Sequence, residues 1–198
     1  MKARADVRRE LRRRRAALAP ARRTAAAAAI ARHAGRTGWL RPGRKVAVYF
    51  PVGSEIDTAP LRRLAARRGC AVYLPRIIHY AAHHMHFRLD RGRYRPNRMG
   101  IPEPLDGTAC PPRRLDVVFM PLTGFNDAGW RLGVGGGYYD RLFAFRRHAP
   151  LRRPLLVGIA FDCQRSGDFV PEAHDVPLDL LITESGLRDW RRSRGSTP

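Results

Sequence analysis

The sequence predicts an α/β protein in which a mainly parallel sheet carries helices on both faces and two helices lead into it. Three observations predict this class. Lys45–Phe50, Leu115–Met120 and Leu155–Phe161 are short, almost continuously apolar runs, the pattern of strands buried on both sides. Helical stretches separate such runs, which is the rhythm of strand–helix–strand units. The first of the runs is preceded by a long stretch rich in Ala, Leu and Arg.

Taken in order, Arg4 to Leu18 contains no Gly or Pro and places Val7, Leu11, Ala17 and Leu18 on a partly apolar face, so it predicts a first helix. Pro20 suits the opening turn of a second helix, which runs to His33 through the alanines at 25–29. Lys45–Phe50, bounded by Pro42-Gly43 and Pro51, predicts a buried strand. Thr58–Arg68 follows as a helix, Ala71–Pro75 as a strand and His84–Asp90 as a more exposed strand with Met85 and Phe87 inward. The segment from Arg91 to Arg114, rich in Pro, Gly and Arg, predicts a long loop with one short element at most. Leu115–Met120 is a strand, Tyr138–Arg147 a helix, and Leu155–Phe161 and Leu178–Thr183 are strands. The tail at 186–198, polar and basic, is expected to fray. The expected architecture is a Rossmann-like three-layer sandwich over the whole of residues 1–198. Ligands of such sheets bind beyond the carboxyl ends of the strands, which directs attention to the segments after Phe50, Met120 and Phe161.

At 198 residues and 44% hydrophobic content the chain suffices for one domain with a real core. No apolar run reaches the roughly 20 residues of a membrane helix, and the N-terminus lacks the features of a secretory signal, so a soluble, cytoplasmic protein is expected. Cys70, Cys110 and Cys163 have no CxxC spacing and read as free thiols. The net charge of +21 points to anionic ligands. It does not point specifically to nucleic acid, because Lys2 and Lys45 are the only lysines, the arginines are spread along the chain, and no zinc-finger spacing or aromatic RNA-binding signature accompanies them.

Gly133-Val134-Gly135-Gly136-Gly137 leads straight into the helical pattern beginning Tyr138-Tyr139-Asp140. Glycines let successive backbone N–H groups converge, and the helix start adds unpaired donors, a geometry that suits phosphate. The dinucleotide fingerprint needs glycine where Tyr138 stands, and the Walker loop needs a Lys-Ser/Thr pair that is absent. Arg131 precedes the turn, where it can pair with phosphate oxygens, and Asp140 follows it, where it can hold Mg²⁺. An arginine, a glycine nest and a carboxylate in so short a stretch describe a nucleotide-polyphosphate site.

The run Gly129-Trp-Arg-Leu-Gly-Val-Gly-Gly-Gly-Tyr-Tyr-Asp-Arg141 resembles the signature of 5-formyltetrahydrofolate cyclo-ligases, also called 5,10-methenyltetrahydrofolate synthetases. Further motifs fall in the family's order: Ser54-Glu-Ile-Asp-Thr58, Gly100-Ile-Pro-Glu-Pro104, Pro121-Leu-Thr-Gly-Phe-Asn-Asp127 and His174-Asp-Val-Pro-Leu-Asp179. The resemblance implies ATP- and Mg²⁺-dependent closure of 5-formyltetrahydrofolate, polyglutamylated or not, to 5,10-methenyltetrahydrofolate, with release of ADP and phosphate. It places Arg131, Leu132, Gly133, Val134, Gly135, Gly136, Gly137, Tyr138 and Tyr139 along the ATP phosphates, with Arg131, Tyr138 and Tyr139 as catalytic candidates. Asp140 and Asp175 become the metal candidates. Arg4 and Arg8 match basic residues that the family's first helix gives to the nucleotide, with arginine in place of a lysine and Val7 in place of a leucine. Glu55 and Phe50 match substrate-binding positions, and a carboxylate at Glu55 can accept two donors from a pterin ring. One departure is Gly136, where some members carry a lysine, so positive charge at the phosphate must come from Arg131, the N-terminal arginines or the metal.

His79, His83, His84 and His86 invite a transition-metal reading, but their segment has no acidic partner and Mg²⁺ prefers oxygen ligands. No serine-hydrolase elbow or metalloprotease motif occurs. The alternative to an enzyme is a folate- or nucleotide-binding regulatory protein on the same fold that contacts RNA through its arginines. No obligate protein partner is evident.

Overall fold

The computed structural model describes residues 3–147 and 153–191. In chain order its elements are α1 (Arg4–Ala16), α2 (Pro20–Gly35), β1 (Lys45–Ala47), α3 (Ala59–Arg67), β2 (Ala71–His79) and β3 (His84–Leu89). Then follow β4 (Tyr94–Pro96), β5 (Pro102–Pro104), β6 (Ala109–Cys110), β7 (Val117–Pro121), β8 (Gly124–Phe125), β9 (Arg131–Leu132) and α4 (Tyr138–Leu142). The last strands are β10 (Leu155–Ile159), β11 (Leu180–Thr183) and β12 (Gly186–Asp189).

The main sheet has eight strands in the order β12-β11-β10-β7-β1-β2-β3-β6. The five from β11 to β2 are parallel, and β12, β3 and β6 are antiparallel additions at the margins. Residues along the parallel strands point alternately into two cores. Val46, Val117, Phe119, Val157, Leu180 and Ile182 face one, and Ala47, Val118, Met120, Leu156 and Leu181 face the other. With both faces buried, the strands read as unbroken apolar runs. The first core is closed by α2 and α3, where Ala26, Ala27, Ala31 and Ala34 leave room for Ile30 and Leu61. The second is closed by α4, Phe143 and the irregular chain carrying Val176 and Leu178. The two faces are therefore covered unequally. Helix α1 packs on a third, smaller cluster, with Val7 and Leu11 against Leu132 and Phe169.

Four expectations need correction. The helix expected over Tyr138–Arg147 stops at Leu142, because Phe143 leaves helical geometry (φ −105°) to bury its whole ring near Phe87, Tyr139 and Phe145; a 3₁₀ turn, Ala144–Arg146, follows. A helix so short has little intrinsic stability to oppose that packing. The loop expected between Arg91 and Arg114 contains a β4–β5 hairpin, the edge strand β6 and a 3₁₀ turn. Its prolines sit at strand ends and edges, where no ladder donor is needed. The strand expected over Ala71–Pro75 runs on to His79 as one arm of a hairpin with β3. The tail expected to fray from 186 instead pairs with β11 as β12, and Trp190 fastens it through its indole N–H to the Asp127 carbonyl at 2.7 Å. Charged residues such as Arg188 and Asp189 are ordinary on an edge strand. The rest of that expectation, 192–198, lies outside the described residues.

Met85 and Phe87 do face inward, and Cys70, Cys110 and Cys163 are free. No helix among the described residues is long and apolar enough to cross a membrane. The sheet leaves little slack at Gly158, where a Cβ would lie 2.6 Å from Leu178 Cδ1 and 2.8 Å from Leu122 Cδ2. Gly158→Ala is expected to destabilise the fold by about 1–3 kcal/mol through overpacking. Urea unfolding checks this as a lower midpoint at unchanged slope.

Candidate active site

Beyond the carboxyl ends of β1 and β7 the chain opens a cleft of about 320 Å³. Its walls are mainly apolar, from Phe50, Val52, Ile77, Met85, Met99 and Ile101, with Glu55 and Glu103 as carboxylates and the turn from Gly133 to Gly137 along one side. An adjoining polar recess shares Gly137 and Asp140 with the cleft and is bounded by Arg8, Arg141, Arg147, Glu172 and His174. The glycine turn is thus the partition between an apolar and a charged compartment.

The turn emerges from the short β8–β9 ladder and ends at Gly137, which caps α4. Gly135 and Gly137 have φ of 116° and 64°, conformations that L side chains rarely adopt. Its carbonyls are held by arginines: Arg8 Nε donates to Gly133 O at 2.9 Å, Arg12 Nη2 to Val134 O at 2.9 Å and Arg141 Nη1 to Gly136 O at 2.8 Å. Burial, and after it the charges of Arg4 and Arg12, lower the affinity of Arg8 for its proton, against the opposing pull of Glu172 and Asp175.

Arg131 lines the cleft from beneath the turn, largely buried, and its Nη2 donates to Asp140 Oδ1 at 2.5 Å. The guanidinium therefore already has a carboxylate partner, while its Nε is buried without one. Asp140 Oδ1 also accepts the amide of Val176 at 3.1 Å, which brings the segment of Asp175 beside the turn. Asp175 in turn accepts Arg4 Nη1 at 2.8 Å, Arg4 Nη2 at 3.3 Å and the amide of Glu172 at 2.8 Å. Burial alone would raise the Asp175 carboxyl, but Arg4 and the amide outweigh it and hold it below the usual range. Ligand atoms of Glu172, His174 and Asp175 all lie within 4.8 Å of one another.

At the other end, Glu55 is reached from the chain that leaves β1. Its side chain is 7% exposed, its Oε2 accepts the Val52 amide at 3.0 Å, and burial pushes its carboxyl above the usual range. Phe50 lines the same cleft, edge-on to Tyr94 at 5.0 Å with the Arg62 guanidinium over its ring. Tyr138 and Tyr139 both line the cleft; Tyr138 meets the His83 ring edge-on, and burial followed by the charge of Glu55 raises the Tyr139 phenol. Val134 stands exposed at the rim. Leu132 buries its side chain with Val7, Leu11 and Phe169 and so ties the turn to α1, which leaves its backbone as the part that faces the turn.

Three residues of the site escaped sequence reading. Glu103 accepts the Ile77 amide and Asn97 Nδ2, joining the β4–β5 hairpin to β2 at the cleft wall. The motif Gly100-Ile-Pro-Glu-Pro104 held that signal without a role. Arg12 and Arg15 were hidden among the many arginines of α1.

Fold and site together define an α/β protein with an apolar ligand cleft and an arginine-lined recess on either side of a phosphate-type glycine turn. The model of the 5-formyltetrahydrofolate cyclo-ligase family matches residues 1–184. The 5-formyltetrahydrofolate cyclo-ligase of Escherichia coli is 37% identical over 153 residues, covering 73% of this chain and 80% of its own. That of Haemophilus influenzae is 32% identical over 188 residues, covering 90% and 97%. The 5,10-methenyltetrahydrofolate synthetase of Aquifex aeolicus superposes with a TM-score of 0.80 at 26% identity, covering 95% of this chain and 93% of that one. The chain belongs to the 5-formyltetrahydrofolate cyclo-ligase family.

The buried Arg131–Asp140 pair gives a test independent of turnover. Arg131→Met is expected to cost roughly 3–5 kcal/mol by stranding Asp140, whereas the double variant Arg131→Met/Asp140→Leu should recover much of that loss. Denaturant midpoints of the three proteins check it.

Proposed function

We propose that this protein closes 5-formyltetrahydrofolate to 5,10-methenyltetrahydrofolate at the expense of ATP, releasing ADP and phosphate. The observation that carries this reading is the meeting of two unlike compartments at one turn, an apolar cleft with a buried carboxylate and a recess lined by arginines. A flat heteroaromatic ring suits the first and a polyphosphate the second.

The formyl oxygen is a poor leaving group until it is phosphorylated. It attacks the γ-phosphorus of ATP, the bond to the β–γ bridging oxygen breaks, and ADP departs. N10 then attacks the formyl carbon, loses its proton, and the ring closes with expulsion of phosphate. The chain's part is to align the two substrates and to neutralise phosphate charge. In this reading Glu55 accepts donors from the pterin, and Phe50 packs on the ring. The amides of Gly133–Gly137 receive phosphate oxygens, with Tyr138 and Tyr139 as the wall between the substrates. Arg8 supplies positive charge at the turn, its hydrogen bond going to a neutral carbonyl rather than a carboxylate. Arg131 acts from beneath, fixing the turn through Asp140, and Arg4 does the same through Asp175.

The donor set beside the recess fits Mg²⁺, since Asp140, Asp175 and Glu172 offer carboxylate oxygens in one region. Asp140 and Asp175 are its proposed holders, through lone pairs that Arg131 and Arg4 leave, and the ion would supply positive charge against that of the phosphates.

Purified protein incubated with 5-formyltetrahydrofolate and Mg-ATP is expected to show an ATP-dependent rise in the near-ultraviolet absorbance of methenyltetrahydrofolate; no such rise would overturn the reading. Glu55→Ala should raise KM for the folate roughly tenfold to a hundredfold with little change for ATP, and Arg8→Ala should do the reverse. Equal effects of both variants on both substrates would sink the division of roles.

A further inference from the structure

Helix α1 places arginines 4, 8, 12 and 15 along one face. The first three reach the phosphate side of the site, to Asp175, Gly133 O and Val134 O. The fourth turns to the other side. Arg15 is 6% exposed in a helix otherwise buried through Val7 and Leu11, at a position that continues their apolar stripe. Its Nε donates to Ser54 Oγ at 3.0 Å, and its Nη1 lies 3.5 Å from the Leu122 carbonyl and 3.9 Å from Glu55 Oε1.

We infer that Arg15 is a positioning residue for the folate: it keeps Glu55 ionised and aimed into the cleft without occupying its acceptors. This rests on the reading of Glu55 as the pterin contact. A carboxylate buried in apolar surroundings tends to take up a proton, and a protonated carboxyl can no longer accept two donors. A guanidinium in direct contact would hold the charge but would occupy lone pairs that the pterin donors need. At 3.9 Å Arg15 supplies charge and leaves Oε1 available, while its Nε and Nη1 are directed to Ser54 and the Leu122 carbonyl.

The groups facing Glu55 agree with this division. Arg15 and Arg12 from α1 favour its ionised form, and the Val52 amide bonds to it. The phenols of Tyr49 and Tyr139 stand near it, with Asp57 beyond Tyr49 and the Cys163 thiol near Arg15. None of these others carries a fixed positive charge, so Arg15 and Arg12 are the cations that oppose burial. The sign follows. Folate binding needs the carboxylate, so it is lost as pH falls through the Glu55 titration, and without Arg15 that loss begins at higher pH.

The test uses the full chain with Arg15→Met, Arg15→Lys, Glu55→Gln and the double variant Arg15→Met/Glu55→Gln, following KM for 5-formyltetrahydrofolate and for ATP from acid to neutral pH. Arg15→Met is expected to raise the folate KM roughly tenfold, to leave the ATP KM within about twofold, and to move the acid-side loss of binding to higher pH. Arg15→Lys, which keeps the charge, should restore most of the folate binding. The double variant keeps the buried charges balanced, and its folate KM should match that of Glu55→Gln. An unshifted pH profile in Arg15→Met overturns the proposal. So does a further loss in the double variant beyond Glu55→Gln, which decides the matter even where Arg15→Met does not fold. A wild-type folate KM in Glu55→Gln marks failure of the parent reading instead, and a weakened Glu55→Gln beside an unaffected Arg15→Met marks failure of this inference alone.

Discussion

The clasp between Arg131 and Asp140 is the contact on which the site depends. The two residues stand on either side of the glycine turn, one on β9 and one in α4, and their buried ion pair closes the turn from below. Asp140 also takes the Val176 amide and so brings Asp175 alongside; Asp175 holds Arg4, and the helix that carries Arg4 returns Arg8 and Arg12 to the carbonyls of Gly133 and Val134. The contacts form a closed circuit around a segment with hardly any side chains of its own. Backbone that must present its amides to a ligand cannot stabilise itself with them, so its neighbours must hold it.

The sheet explains why the circuit lies where it does. Parallel strands with both faces covered leave only their ends for ligands. The chain leaving β1 provides Phe50 and Glu55, and the chain leaving β7 provides the ladder that ends in the turn. The antiparallel β2–β3 arm and the β4–β5 hairpin then extend the wall of the cleft with Ile77, Met85 and Ile101.

Strands buried on both faces were legible because nothing but continuous apolar side chains satisfies two cores, and the glycine turn was legible because its backbone tolerates few other residues. Arg131 and Asp140 were recognisable as important, yet sequence spacing cannot say whether an arginine and an aspartate nine positions apart serve a ligand or each other. Arg15 was invisible for a related reason. In a helix that repeats arginine at most positions, a buried guanidinium and a solvated one are written with the same letter, and only the stripe begun by Val7 and Leu11 hints at the difference. β12 was missed because an edge strand with one solvated side follows neither a helical nor a clean alternating pattern. The early end of α4 follows from the burial of Phe143, a tertiary demand that local propensity does not record.

The hydrogen bond from Arg4 to Asp175 spans 171 positions of sequence. Strands β1 to β10 lie between the two residues in sequence, so the pair closes most readily on a chain in which that part of the sheet is already assembled, and helix α1 is expected to be seated late in folding.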